Sequence, residues 1–502
     1  MRSKKTIINT LFSMLEELVA IICAFILPRL ILEKFGSSCN GLITSITQFL
    51  ACAVLLRSGI GGATRAALYK PLAENNKDKI NSIMKATDQF MKKVGLILIV
   101  LILALAVGYP LFINKEFEFI YSFSLILIIG ASSFAESFFG ITYLIMVQAD
   151  QKLWVSSAFK IISQVLNIVF AVILIKLDFS IHLVKLFSTI AFLVYPIGLN
   201  IYVKKKYKLN FKNVEADKNS ISQRWDAFWH QVSDFVTHNT DVVVLSIFTN
   251  LLVVSVYSVY SLVLGALKRF IAAFAGGLES ALGNMVAKKE KDILKENVTI
   301  LEFIFFNLGT FVYTCGILLI CDFVRVYTKG ITDTNYLIPF FSYILMIAQF
   351  FTAIRMPYQQ VIQASGHYKQ TKKYAIIESF LNIIVSSILV IKFGLIGISI
   401  GTLIALAYKT IMYVWYTSKN IIEIKLYDFL KKILLSIVEA TLIILIYTNI
   451  KFIVPSNYFD WIINSVIVSI LAAIIIGIGI ILIYKKESSI FLQKIKKSLK
   501  KS

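Results

Sequence analysis

The sequence predicts an all-α membrane protein of about fourteen transmembrane helices, arranged as two pseudo-repeated six-helix lobes plus two C-terminal helices. Three observations carry this. First, 58% of the 502 residues are apolar and the mean hydropathy is +0.77. Uncharged apolar runs occur at 95–111, 125–135, 441–450 and 465–484, whereas a soluble domain is nearer half apolar and lacks runs approaching 20 residues. Second, Lys and Arg are distributed very unevenly between alternate connecting segments. Third, the two halves repeat.

Taken in order, the apolar segments place spans at 9–32, 41–63, 94–113, 119–147, 155–176, 181–203, 226–248, 251–275, 298–322, 336–362, 374–391, 395–417, 431–450 and 461–484. With both termini cytoplasmic and helix-end lysines counted to the adjoining loops, the cytoplasmic segments carry 36 of the 51 Lys and Arg residues and the outer segments 7. That bias fits retention of basic loops on the inner side of the cytoplasmic membrane. It also explains the net charge of +22 without nucleic acid as a partner. The first apolar run is broken by Glu16 and Glu17 and offers no convincing cleavage site, so it reads as a retained span. The basic tail 485–502 reads as a face for anionic membrane lipids. All outer loops are short, the longest being 323–335, which leaves no room for an extracytoplasmic catalytic domain. Cys23, Cys39, Cys52, Cys315 and Cys321 lack metal spacing and read as buried apolar thiols.

The repeat is visible in the cytoplasmic loops. Ala67-Leu68, Ala73 and Lys77-Asp78 match Ala281-Leu282, Ala287 and Lys291-Asp292 at an offset of 214. Gln148-Ala149 matches Gln363-Ala364, and Leu166-Asn167-Ile168 matches Leu381-Asn382-Ile383, at an offset of 215. Six spans per repeat give both lobes the same orientation, with the substrate path expected between them. The expected division is an N-lobe at 1–203, a basic linker at 204–224, a C-lobe at 225–417, helices thirteen and fourteen within 418–484, and the tail at 485–502.

This layout, together with RSGIGGATRAALYKPLAENNKDKI (57–80), TDVVVLSIFTNLLVVSVYSVYSLV (240–263) and QASGHYKQTKKYAIIESFLNIIVSSILVIKFGLIGISIGT (363–402), resembles the multidrug/oligosaccharidyl-lipid/polysaccharide exporter superfamily. It is most similar to the polysaccharide branch, the Wzx-type flippases for O-antigen or capsule repeat units. The resemblance spans roughly residues 1–420. It implies a V-shaped bundle working by alternating access on a substrate linked to undecaprenyl pyrophosphate, moved from the cytoplasmic to the outer leaflet. It implies no catalytic residue and no cofactor. Polysaccharide polymerase and glycosyltransferase machinery would be its neighbours in the pathway. Two rivals stand beside this reading. A cation-coupled drug antiporter of the same superfamily would need few cavity arginines. A polysaccharide polymerase or ligase would need a large outer loop bearing catalytic residues, which the sequence lacks.

Charged residues within spans cost about 2.5–3.5 kcal/mol each at the helix centre and therefore mark candidate sites. Guanidinium forks match phosphate oxygens. Arg57 and Arg269, at nearly equivalent places in the two lobes, and Arg355, just before Pro357, are the expected pyrophosphate clamp, with Arg29 near the outer end as an exit-side contact. Pro357 is expected to kink its span. Lys160, Lys185 and Lys409 are expected to snorkel to the headgroups. On the segment 225–248, His230, Asp234, His238 and Asp241 share one polar arc, expected to line an aqueous central cavity. There the arc would hydrogen-bond sugar hydroxyls or carry a counter-ion, H+ or Na+. Three ligands from one helix rarely make a metal site, so none is expected. Glu302, Glu378 and Glu439 read as contacts between helices. Gly59, Gly61 and Gly62 read as sites of close helix packing. No GxxxxGK[ST] is present, so ATP is not bound through a P-loop.

Overall fold

The computed structural model describes residues 2–52, 55, 60–114, 116–212, 214–217, 235, 239–275, 278–422, 426–450, 454–485, 487–490 and 493. Among these the regular structure is helical: α1 (Arg2–Ala51), α2 (Ile60–Ala73), α3 (Lys77–Gly108), α4 (Phe119–Ala135), α5 (Ile141–Ala149), α6 (Leu153–Lys176), α7 (Ile181–Tyr207), α8 (Asn239–Phe248), α9 (Leu251–Ala275), α10 (Leu278–Ala287), α11 (Lys291–Tyr327), α12 (Pro339–Ala364), α13 (Tyr368–Phe393), α14 (Leu395–Asn420), α15 (Leu426–Asn449) and α16 (Tyr458–Leu482). Single π-helical turns follow α3 at Tyr109–Ile113 and α4 at Glu136–Gly140. Eleven helices among the described residues are long and apolar enough to cross a membrane. The protein is a multi-pass membrane protein, and it divides into two compact units, Met1–Ser255 and Val256–Ser502. The lobe boundary expected at 204–224 rests on the sequence repeat.

In the N-terminal unit, α1 contains a kink at Gly36, with φ 81° and ψ 175°. Only glycine reaches that region without a Cβ clash. The 50-residue helix thereby holds the first expected span and the start of the second. Its first segment runs parallel to α6. Asn9 Nδ2 donates to the Gln151 carbonyl at 2.9 Å, Lys160 Nζ lies 2.9 Å from Glu16 Oε1, and Lys34 pairs with Asp178. The segment after Gly36 packs Leu42, Ile46 and Leu50 against Ile102, Tyr109, Leu125 and Ala171 of α3, its π-helical turn, α4 and α6.

α3 begins at Lys77, well before the apolar run expected at 94–113. Asn76 caps it by accepting from the Lys79 amide at 3.0 Å, and Asp78 complements its positive end. The charged turns are stable because water covers them, so the helix outruns the hydrocarbon core of about 30 Å. α11 does the same over 37 residues.

The C-terminal unit is built from α10–α16 and most of α9. α13 and α14 form a close pair. A Cβ at Gly401 would lie 2.7 Å from the Ser386 amide nitrogen, so glycine permits the backbones to approach. On α16, Asn464, Val468, Ala472, Ile476 and Gly479 form a buried stripe at helical spacing, and its apolar residues pack on Cys315 and Leu319 of α11 and Ile443 of α15. Ile463, Ile467, Ile470, Ile474 and Ile478 are exposed, as lipid-facing positions should be. α12 continues through Pro357 rather than ending there.

The repeat in the sequence is a repeat of turns. After α2, the Asn75 amide donates to Leu72 O (3.4 Å) and the Asn76 amide to Pro71 O (2.9 Å); after α10, Lys289 donates to Val286 O and Glu290 to Met285 O, both at 3.0 Å. These are 5→2 and 6→1 Schellman closures displaced by 214 residues. After α5, Gln151 donates to Gln148 O (3.1 Å) and Lys152 to Val147 O (2.8 Å). After α12, Gly366 donates to Gln363 O (3.0 Å) and His367 to Ile362 O (3.1 Å), displaced by 215. The turning residues Asn75, Lys289, Gln151 and Gly366 all have positive φ, at 54°, 58°, 55° and 70°.

Candidate functional site

The C-terminal unit holds a buried ionic cluster that joins three helices. Glu378 on α13 is wholly buried, and Arg355 on α12 and Lys409 on α14 are 3% and 4% exposed. Glu378 Oε2 lies 2.6 Å from Lys409 Nζ, and Oε1 lies 3.5 Å from Arg355 Nη1. Lys409 also sits 5.6 Å from the centre of the Tyr413 ring. One carboxylate thus joins two cations of separate helices in a medium that solvates charge poorly. A further carboxylate makes an interhelical polar contact as expected: Glu302 of α11 pairs with Lys432 of α15. Glu439 of α15 is buried against Gly479 of α16, with its Oε1 lacking a hydrogen-bond partner among the described residues.

The expected clamp residues have different settings. Arg355 is part of the buried cluster. Arg269 is exposed on α9. Arg29 on α1 is paired at 2.5 Å with Glu33, one turn along the same helix. Arg57 lies outside the described residues. Of the polar arc, His230, Asp234 and His238 also lie outside them. Asp241, on α8, is 9% exposed, so this member is enclosed by protein rather than open to water. The described part of α8 is held against α1 by polar contacts. Gln48 Nε2 donates to Asn239 Oδ1 at 2.7 Å and Ser45 Oγ to Ser246 Oγ at 2.7 Å, while Asn40 Nδ2 donates to Ser255 Oγ of α9 at 2.9 Å. No group of three or more His, Cys, Asp or Glu suited to a metal ion occurs among the described residues.

Other expectations are corrected. Lys409 does not snorkel, because Glu378 holds it inside the unit. Lys160 pairs with Glu16 and keeps a side-chain exposure of 36%. Lys185, half-buried, lines a partly open cavity of the N-terminal unit. Gly61 and Gly62 are not close-packing sites, since a Cβ at either would meet nothing within 4 Å. Gly59 lies outside the described residues. Cys52 is exposed, unlike Cys23, Cys39 and Cys315.

That cavity, about 320 Å³ and partly open, is lined by α1, α3, α4, the π-helical turn after it, α6 and α7. Sequence reasoning singled out Lys185 on its wall but missed the cavity, because the rest of the lining is apolar side chains, hydroxyls and one amide, which do not stand out in an apolar span. A second cavity of about 890 Å³ lies in the C-terminal unit, where Lys295, Lys431 and Lys432 are interspersed with Glu302, Asp428 and Glu487.

No family model and no curated protein matches the chain. Solved structures do. A lipid II flippase, MurJ, in an inward closed conformation superposes with a TM-score of 0.70 at 19% identity, covering 97% of this chain and 99% of that one. A multidrug-resistance MATE family transporter of the MOP superfamily, inward-facing, gives 0.60 at 14% identity over 82% of this chain and 94% of that one. The MATE multidrug transporter DinF-BH gives 0.61 at 16% identity over 83% and 95%. The chain has the fold that these flippase and multidrug-transporter structures share.

Proposed function

We propose that the protein is a flippase. It translocates an oligosaccharide repeat unit linked to undecaprenyl pyrophosphate across the cytoplasmic membrane by alternating access, for surface polysaccharide biosynthesis. The carrying observation is the extent of the fold match. The lipid II flippase accounts for 97% of this chain, whereas the multidrug transporters account for 82–83%. The shortfall is about the size of 418–502, the part outside the twelve-helix repeat. The lipid tail stays in the bilayer while the glycan and pyrophosphate cross, and Arg57, Arg269 and Arg29 are the cations offered to the anion. Arg355 acts from within the C-terminal unit, where its charge is shared with Glu378. His230, Asp234, His238 and Asp241 serve the glycan or a counter-ion, H+ or Na+.

The second reading, a cation-coupled multidrug antiporter, draws on the MATE neighbours. One reconstitution separates the two. Proteoliposomes carrying a fluorescent polyprenyl-pyrophosphate oligosaccharide are challenged with an impermeant quencher, and matched vesicles are tested for proton- or Na+-driven uptake of a cationic dye. The flippase reading expects protein-dependent quenching of inner-leaflet label, lost on Arg57→Glu or Arg269→Glu. Dye exchange without lipid translocation overturns it.

A further inference from the structure

The cavity of the N-terminal unit contains a cation without a counter-charge. Elsewhere the interior lysines have partners: Lys160 has Glu16, Lys409 has Glu378 and Lys432 has Glu302. Lys185, in the second turn of α7, has no ion pair among the described residues, and no residue lining its cavity is acidic. Lys185 is half-buried on the wall of a partly open cavity, so water reaches its ammonium but no carboxylate faces it there.

The wall around it offers donors. Ser132 and Ser188 spend their hydroxyl protons on the carbonyls of Ile129 and Val184. Among the described residues Ser133, Asn167 and the exposed Thr47 make no such bond; the unpartnered buried atom of Asn167 is the acceptor Oδ1, so this amide can meet an anion only through Nδ2. The contrast with the second repeat is direct. Asn382, the counterpart of Asn167, donates to Thr402 Oγ1 at 3.3 Å. Asn167 is 4% exposed, and what it faces instead is the cavity. Ammonium, amide and hydroxyl N–H and O–H groups with no carboxylate make an environment that repels metal cations and attracts anions. A single positive charge matches a single negative one, and a phosphate dianion would leave an excess charge in low dielectric. At about 30 Å³ per water, the space takes a small ion with several waters.

We propose that this cavity binds a small monovalent inorganic anion, chloride, held by Lys185 Nζ, Asn167 Nδ2 and the hydroxyls of Thr47 and Ser133. The bound ion neutralises Lys185 and fastens α7 to α1, α4 and α6.

The test needs neither glycolipid nor drug, so it succeeds or fails independently of the transported substrate. Full-length protein in detergent is melted in sodium chloride, sodium gluconate or sodium phosphate at equal ionic strength. Chloride at saturation is expected to raise Tm by about 2–5 °C over gluconate. Lys185→Gln abolishes the difference and Lys185→Arg retains it. An equal shift in Lys185→Gln, no shift in the parent protein, or a phosphate shift as large as chloride's overturns the proposal. Should Lys185→Gln not fold, crystals of the unmodified protein grown in bromide decide the matter. An anomalous peak within hydrogen-bond reach of Lys185 is expected, and its absence there refutes the site.

Discussion

At the scale of single residues, the burial of Glu378 between Arg355 and Lys409 determines what each substitution does. Removing one member of a buried ionic group typically costs about 3–5 kcal/mol, because the charge left behind loses its partner, whereas replacing the whole group by apolar residues is often neutral. Glu378→Gln is therefore expected to destabilise the protein by that amount in detergent unfolding. The triple change Arg355→Met, Glu378→Leu, Lys409→Met is expected to lose much less. A small effect of Glu378→Gln alone would mean that water reaches the cluster. The polar contacts from α1 to α8 and α9 are a milder case. Hydrogen bonds between membrane helices average about 0.6 kcal/mol, so Gln48→Leu should cost under about 2 kcal/mol in the same assay. Sequence inspection found Arg355, Glu378 and Lys409 individually, since a charge in an apolar span is conspicuous. Their association was not legible, because the three lie on separate helices and no local spacing encodes a contact between elements. Asn167 stood out only as part of the repeat and Ser133 not at all, for a different reason: a single amide or hydroxyl barely alters local hydropathy, yet decides whether a cavity is polar.

At the scale of elements, hydropathy located the membrane-crossing runs well but not the helix ends. α3 and α11 start in charged sequence that a hydropathy reading assigns to loops, because a helix continues for as long as its backbone bonds are satisfied. The kink in α1 was equally hidden, since one glycine among several carries no label saying that φ must be positive. The Schellman turns make a further prediction. Gln151 occupies a left-handed position that costs an L-residue roughly 1–2 kcal/mol, and its counterpart in the second repeat is Gly366. Gln151→Gly should raise stability by about 0.5–1 kcal/mol, read as a higher Tm, since the backbone carbonyl that receives Asn9 is retained. A fall in Tm would show that the Gln151 side chain carries a contact of its own.

At the scale of the whole molecule, the all-helical class and the repeat could be read from periodicity, charge bias and a displaced loop motif. The partition of 239–255 could not. The helix expected to open a second half has its described end, Asn239–Phe248, bonded to α1 in the N-terminal unit. Amphipathic period says that a polar face needs a partner, and does not say which. If the proposed flippase moves two uncompensated negative charges, an inside-negative potential favours outward transfer by about 4.6 kcal/mol per 100 mV. In vesicles clamped with valinomycin and a potassium gradient, reversing the potential should reverse the net direction of labelled-lipid movement. Indifference to potential would mean that a co-moving ion neutralises the load.

The ionic cluster also bears on how the chain enters the membrane during synthesis. Arg355, Glu378 and Lys409 emerge from the ribosome in that order, so α13 must leave the translocon before α14 delivers Lys409. Until then its carboxylate lacks Lys409, its partner at 2.6 Å, and the nearest nitrogen of Arg355 lies 3.5 Å away in the finished fold. A nascent chain arrested shortly after Gly394 should therefore hold α13 in the bilayer poorly, and one extended beyond Asn420 should hold it firmly. Glycosylation mapping of staged truncations would record the difference, and Glu378→Leu should erase it.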